Sequence, residues 1–214
     1  MFLTNQAFCP ICESSIQPND NVFCALCQNH IEESKTKSPC HTSLYGDRIL
    51  YAFRYVGIIR QWMLKYKYGK HFVFSRLFAQ ELWKVVQQYL DWKDLLLIPV
   101  PTTWNKLLQR KHHPAELIAY ELHLCSQLKI LPTALRKRWS WTDQSQSSSS
   151  RINRLYNPNL LFSCARGINQ YANHKGWLVV DDVFTTGSTL HACKKALLKS
   201  FPEMPVVLAS VAHG

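Results

Sequence analysis

The chain has 214 residues, 47% of them hydrophobic, and a formal net charge of +11. That is enough apolar material for one moderate packed domain and a small companion. No run reaches the ~18 apolar residues of a membrane-spanning helix, which argues against membrane insertion.

The charge is unevenly spread. Residues 1–50 carry three basic residues (Lys35, Lys37, Arg48) and five acidic ones (Glu13, Asp20, Glu32, Glu33, Asp47), a net of −2, so the remainder carries +13. A phosphate-rich ligand or nucleic acid would suit that remainder. Ordinary solvated lysine is the plainer alternative.

The first residues, Met1-Phe2-Leu3-Thr4-Asn5-Gln6, lack a basic segment followed by an apolar one. No secretory signal is expected, and the expected location is cytoplasmic. Eight cysteines in such a chain point to metal ligands or free thiols rather than disulfides. Cys9-Pro10-Ile11-Cys12 and Cys24-Ala25-Leu26-Cys27 are two C-x-x-C pairs with eleven residues between them. Four thiolates at paired short spacings suit structural tetrahedral Zn2+. Residues 14–23 would form a short hairpin between two knuckles. So small a module lacks its own core, and metal binding would supply its folding energy. A redox motif is the alternative for one pair alone. Residues 28–43 are polar and read as a connector, with Cys40 and His41 as linker residues. The expected division is a zinc ribbon and linker over 1–45 and a larger domain over 46–214.

From Arg48 the pattern changes to strand composition through Tyr55. Ile58, Ile59, Trp62, Met63 and Tyr66 then fall at helical spacing. Lys65, Lys67 and Lys70 close that helix, where cations favour the macrodipole. A second amphipathic helix is expected from Val73 to Tyr89. Leu95, Leu96, Leu97 and Ile98 form a buried strand that ends at Pro99-Val100-Pro101, because proline is tolerated only at strand ends. Pro114 suits a helix first turn. A third strand is expected at residues 132–135. Residues 136–154 are basic and serine-rich, unable to bury a core. They read as a plain loop or as a lid over an anionic ligand. Trp139 and Trp141 beside arginines would also stack on bases.

The most informative stretch is Trp177-Leu178-Val179-Val180-Asp181-Asp182-Val183-Phe184-Thr185-Thr186-Gly187-Ser188-Thr189. An apolar run suits a buried parallel strand. Asp181 and Asp182 are expected at its carboxyl end, the edge where open α/β sheets bind ligands. Thr185, Thr186, Ser188 and Thr189 offer hydroxyls, and Gly187 allows close backbone approach. A helix with Leu190, Cys193, Leu197 and Leu198 on one face follows, and its first amides suit a phosphate. Two adjacent carboxylates should repel, so their neutralisation is expected to leave stability unchanged or higher. Residues 206–212 read as an edge or final strand.

Residues 179–189 resemble the PRPP-binding signature of the type I phosphoribosyltransferases. The resemblance implies that Asp181 and Asp182 hold ribose hydroxyls and that Thr185, Thr186, Gly187, Ser188 and Thr189 hold the 5′-phosphate. With the four cysteines, Lys67-Tyr68-Gly69, Pro99-Val100-Pro101, Arg110, Ala119, Gln146, Arg154 and Asn157, nearly the whole chain resembles the ComF family of competence proteins. The fold so implied is α/β, a type I phosphoribosyltransferase-like parallel sheet flanked by helices behind an N-terminal zinc ribbon. Where the family shows Arg-Gly-Phe-Asn-Gln, this chain has Arg110-Lys111-His112-His113-Pro114. The leucine usual after Gln146 is also missing.

Two functions follow from the resemblance. One is a competence protein that binds PRPP with Mg2+, together with single-stranded DNA and other DNA-uptake proteins. The other is an active phosphoribosyltransferase with an unidentified acceptor. Val100, Lys106, Arg110, Arg136, Arg138, Gln146 and Arg154 are the candidates for the pyrophosphate and lid. No general base is identifiable.

Overall fold

The computed structural model describes residues 7–16, 23–69, 71–89, 94–102, 107–108, 110–137, 162–171 and 173–214. At the N-terminal end, β1 (Ala7–Phe8) and β2 (Ser15–Ile16) pair antiparallel around the first cysteine pair. The hairpin therefore encloses Cys9 and Cys12 instead of lying between the two pairs. The second pair opens α1 (Ala25–Ser34), with Cys24 as its N-cap. Residues 28–43, expected to be a connector, are thus ordered as most of α1 followed by β3 (Cys40–Thr42).

β3 lies antiparallel to β4 (Arg48–Arg54). Then come α2 (Gly57–Tyr68), α3 (Val73–Tyr89), β5 (Leu95–Pro99) and α4 (Pro114–Ser126). β6 (Lys129–Ile130) supplies the strand expected a few residues later, and residues 131–134 turn into β7 (Leu135–Lys137). β7 pairs with β8 (Phe162–Cys164) in a separate two-stranded ribbon. β9 (Gly176–Phe184), α5 (Ser188–Ser200) and β10 (Val206–His213) complete the order.

The main sheet runs β3-β4-β10-β9-β5-β6. All its pairings are parallel except β3 with β4. β10 is the final strand, one of the two expectations for it, but it lies inside the sheet between β4 and β9 and not at an edge. Its apolar composition explains this, since Leu208, Ala209, Val211 and Ala212 are buried and a central parallel strand is covered on both faces.

The period of two divides the strands between two cores. Leu50, Ala52, Leu97, Leu178 and Val180 pack with Trp62, Met63, Phe78, Leu82, Ile118 and Leu122 from α2, α3 and α4. Ile49, Tyr51, Leu96, Ile98, Trp177 and Val179 pack on the other face with Leu190, Cys193 and Leu197 of α5 and with Phe162.

The polypeptide leaves β5 through α4 towards β6 on one side. It leaves β9 through α5 towards β10 on the other. The sheet thus reverses its strand order between β5 and β9, and such a switch point opens a crevice at the carboxyl ends of the two strands.

Candidate functional site

β9 is longer than its apolar run. It pairs with β5 only as far as Val180, opposite Pro99, but continues beside β10 to Phe184. Asp181 and Asp182 therefore lie within the strand, at the point where its β5 side is released. Val100, just past the end of β5, donates its N–H to Val180 O at 2.9 Å.

Alternation sends the two acids to opposite faces. Asp182 continues the Leu178 and Val180 row towards α2, and Asp181 continues the Trp177 and Val179 row towards α5. Their electrostatic neighbours agree. Burial first, then the charge of Asp182, raises the Tyr66 hydroxyl pKa. Burial and then Asp181 raise that of the Cys193 thiol.

Both acids line one cavity of about 220 Å3, with Lys67, Val100, Pro101, Thr102, Arg110, Lys137 and Thr189. Asp182 Oδ1 accepts the Val183 N–H at 2.6 Å. Its Oδ2 lies 3.0 Å from Lys67 Nζ, with the two side chains 11% and 12% exposed. Asp181 Oδ1 accepts the Asp182 N–H at 2.8 Å. The lysine changes the expectation that the acids are destabilising, because Asp182 has a cation at contact. Lys67 was expected to be one cation of a solvated helix end. Its helix register could not reveal a partner on β9. The Arg110 guanidinium sits over the Tyr68 ring, 5.4 Å from its centroid. Arg110 Nε is buried without a hydrogen-bond partner among the described residues.

Of the other cations, Arg136 is exposed on β7 while its neighbour Lys137 lines the cavity. Lys106, Arg138, Gln146 and Arg154 lie outside the described residues, as do Trp139 and Trp141. Larger grooves of about 470 and 270 Å3 flank residues 33–39. They lie away from the acids and from the switch point.

The hydroxyl-rich turn follows at once. Thr185 and Thr189 are exposed, and Thr186 and Ser188 half-buried. α5 begins at Gly187 without a side-chain cap, which suits an anion at its first amides. Gly187 has φ +78°, and a Cβ there would come within 2.7 Å of Ser43 Cβ and 2.9 Å of Ile49 Cδ1. The glycine is therefore demanded by packing against the β3–β4 turn.

That turn is itself bound to α5. Ser43 Oγ accepts the N–H groups of Tyr45 and Asp47 at 3.2 Å each. Asp47, 6% exposed, accepts from Lys194 Nζ at 2.7 Å and contacts His191 Nδ1 at 2.5 Å. Tyr45 stacks on His191 at 4.5 Å. Burial raises the Asp47 pKa, but the bonds from Lys194 and His191 outweigh it and hold the carboxyl below its ordinary value. Residues 43–47 carried no motif, so nothing local in the sequence marked this clamp.

The second site is the cysteine cluster. The ligand atoms of Cys9, Cys12, Cys24 and Cys27 all lie within 4.8 Å of one another, and Cys12 Sγ is 3.5 Å from Cys24 Sγ. A tetrahedron with Zn–S of ~2.3 Å has sulfur separations of about 3.8 Å, so the cluster fits a four-thiolate metal site. All four sulfurs converge, which favours the metal site over a redox role for one pair alone. Cys40 stands apart and accepts from Arg48 Nε at 3.4 Å.

The molecule is thus an α/β protein with a largely parallel sheet, an acid-and-cation cavity at its switch point, and a four-cysteine cluster with the geometry to hold a metal ion. No protein-family model matches the chain. It is similar to Competence protein F of Haemophilus influenzae, with 24% identity over 211 residues, covering 89% of this chain and 90% of that protein. The likeness spans nearly the whole chain, as does the ComF-family resemblance carried by the motifs.

Proposed function

We propose that this protein binds PRPP at the carboxyl edge of its sheet and acts in competence, with single-stranded DNA as a second partner. The similarity to Competence protein F supports the competence role. The observation that carries the ligand is the cavity itself, where Asp181 and Asp182 stand among Lys67, Arg110 and Lys137. Carboxylates accept from sugar hydroxyls, and cations attract phosphate oxygens. A ribose bearing two anionic groups needs both kinds of partner. The uncapped start of α5 suits its 5′-phosphate. Mg2+ would accompany the pyrophosphate and offset its charge. Zn2+ would fill the cysteine cluster and hold β1, β2 and α1 together.

The alternative is phosphoribosyl transfer. An acceptor would attack ribose C1 as the C1–O bond to pyrophosphate breaks, and the electron pair would leave with pyrophosphate. Lys67, Arg110 and Lys137 would stabilise that developing charge. The acceptor's proton has no assigned base among the described residues.

Calorimetry with PRPP and Mg2+, repeated with single-stranded DNA as competitor, tests the binding function. Saturable binding supports it, and absence of any heat or shift rejects it. Release of pyrophosphate in the presence of candidate bases would favour the transferase.

A further inference from the structure

Residues 65–76 carry Lys65, Lys67, Lys70 and Arg76, residues 106–113 carry Lys106, Arg110 and Lys111, and neither segment has an acidic residue. The fold sets the two segments side by side. Tyr66 donates its hydroxyl to Pro114 O at 2.6 Å. The His112 ring lies 5.6 Å from that of Tyr66 and 5.3 Å from that of Phe72. The end of α2, the start of α3 and the turn before α4 therefore share one basic surface.

Two rings stand out from it. Tyr68 is 57% exposed and Phe72 48% exposed, although rings of this size are strong drivers of burial. The Arg110 guanidinium sits over one face of Tyr68, 5.4 Å from the ring centroid. Lys65 lies one turn from Tyr68 on α2, and Arg76 one turn beyond Phe72. Lys65, Arg76 and Lys111 are exposed, and none of the three has an acidic partner among the described residues. Lys67 differs, since it turns inward to Asp182.

Exposed rings interleaved with unpaired cations suit an extended polyanion that carries flat groups. A single-stranded nucleic acid is such a partner, because its bases have free faces to stack and its phosphates recur at every nucleotide. A duplex hides those faces. An anionic lipid surface would attract the same cations, but a ring held against a guanidinium is suited to a second flat group rather than to acyl chains.

We propose that Tyr68 and Phe72 form a stacking platform for the bases of a single-stranded nucleic acid, with Lys65, Arg76 and Lys111 meeting its phosphates. This rests on the single-stranded DNA reading above and gives that partner a place, apart from the two acids.

Binding of a fluorescent oligothymidylate is measured by anisotropy for the wild type, Tyr68→Ala, Phe72→Ala and the triple variant Lys65→Gln, Arg76→Gln, Lys111→Gln. Wild type should bind the single strand more tightly than a duplex of the same length. Each ring variant should lose about tenfold in affinity with its salt dependence unchanged. The triple variant should flatten the slope of log affinity against log salt by about two, at ~0.7 per phosphate. Ring variants that bind like wild type would overturn the platform while the DNA reading stands, and if they no longer sediment with phosphatidylglycerol vesicles the surface belongs to lipid. A wild type that binds no strand at low salt would instead overturn the DNA reading itself. Should a ring variant not melt cooperatively, wild-type protein can be photo-cross-linked to a strand carrying bromouracil. Cross-links within residues 66–76 support the platform, and cross-links confined to other segments reject it.

Discussion

Asp182 has both carboxylate oxygens engaged inside the protein, one by Val183 N–H and one by Lys67. Asp182→Asn keeps the shape but leaves the Lys67 ammonium without its counterion in a mostly buried place. PRPP affinity should fall about tenfold to a hundredfold, and stability by about 1–3 kcal/mol. A titration beside a thermal melt reads both, and an unchanged melt would show that the ion pair adds nothing. Gly187→Val should act through packing instead. A valine at φ +78° would drive its Cβ into Ser43 and Ile49, and the combined backbone and overpacking cost is about 3 kcal/mol. A variant that melts like wild type would mean that the β3–β4 turn yields easily. The acids, the turn and its glycine were all legible in the sequence, because strand, acids and turn follow one another without a break. Lys67 was not. Its partner lies on β9, and a pattern read along α2 gives only the face on which a side chain falls.

The β3–β4 turn and α5 behave as one unit through Asp47, His191, Lys194 and the Tyr45 ring. The Asp47 carboxyl sits below its ordinary value of 3.8, so its bonds stabilise the fold above that pH. The contribution is lost as pH falls through the depressed folded value. Melts taken from about pH 6 down to about pH 3 should decline more steeply for wild type than for Asp47→Asn. Parallel declines would exclude the clamp as an acid-sensitive element. The cysteine module is held by other means, since its two-residue strands and single helix offer little core. Purified protein should contain about one zinc per chain, and Cys9→Ser should lower that content and loosen residues 7–34 to proteolysis. Unchanged zinc in the variant would reject the assignment. Most helices and strands were readable from apolar spacing, α3 to the residue. The strand expected at 132–135 was misplaced because Leu131 and Ala134 are buried in the turn that leads into β7, and burial alone does not distinguish a turn from a strand.

For the whole molecule, the +13 charge beyond residue 50 makes a salt test informative. Affinity for single-stranded DNA should drop steeply between about 50 and 200 mM salt, and joint replacement of Arg136, Arg138 and Arg151 should weaken it at every salt concentration. Salt-independent binding, or none at low salt, would remove nucleic acid from the partners. No helix among the described residues is long and apolar enough to cross a membrane. The order of strands was the least legible property of the chain. Each strand announces itself locally, but its neighbours are chosen by how α4 and α5 cross the sheet.

That order has a kinetic side. β10 is made after every other strand of the sheet, yet it pairs Leu208 with Ile49 on one flank and with Val179 on the other. Until it arrives, β4 and β9 are separate half-sheets, each presenting a row of open backbone groups. Such rows invite pairing with other chains, and closure across so long a stretch of sequence is slow. The nascent protein should therefore be most vulnerable to aggregation just before residues 206–213 emerge. Insertion of this one strand both joins the two halves and first brings β9, with its two acids, into register with the turn that braces α5.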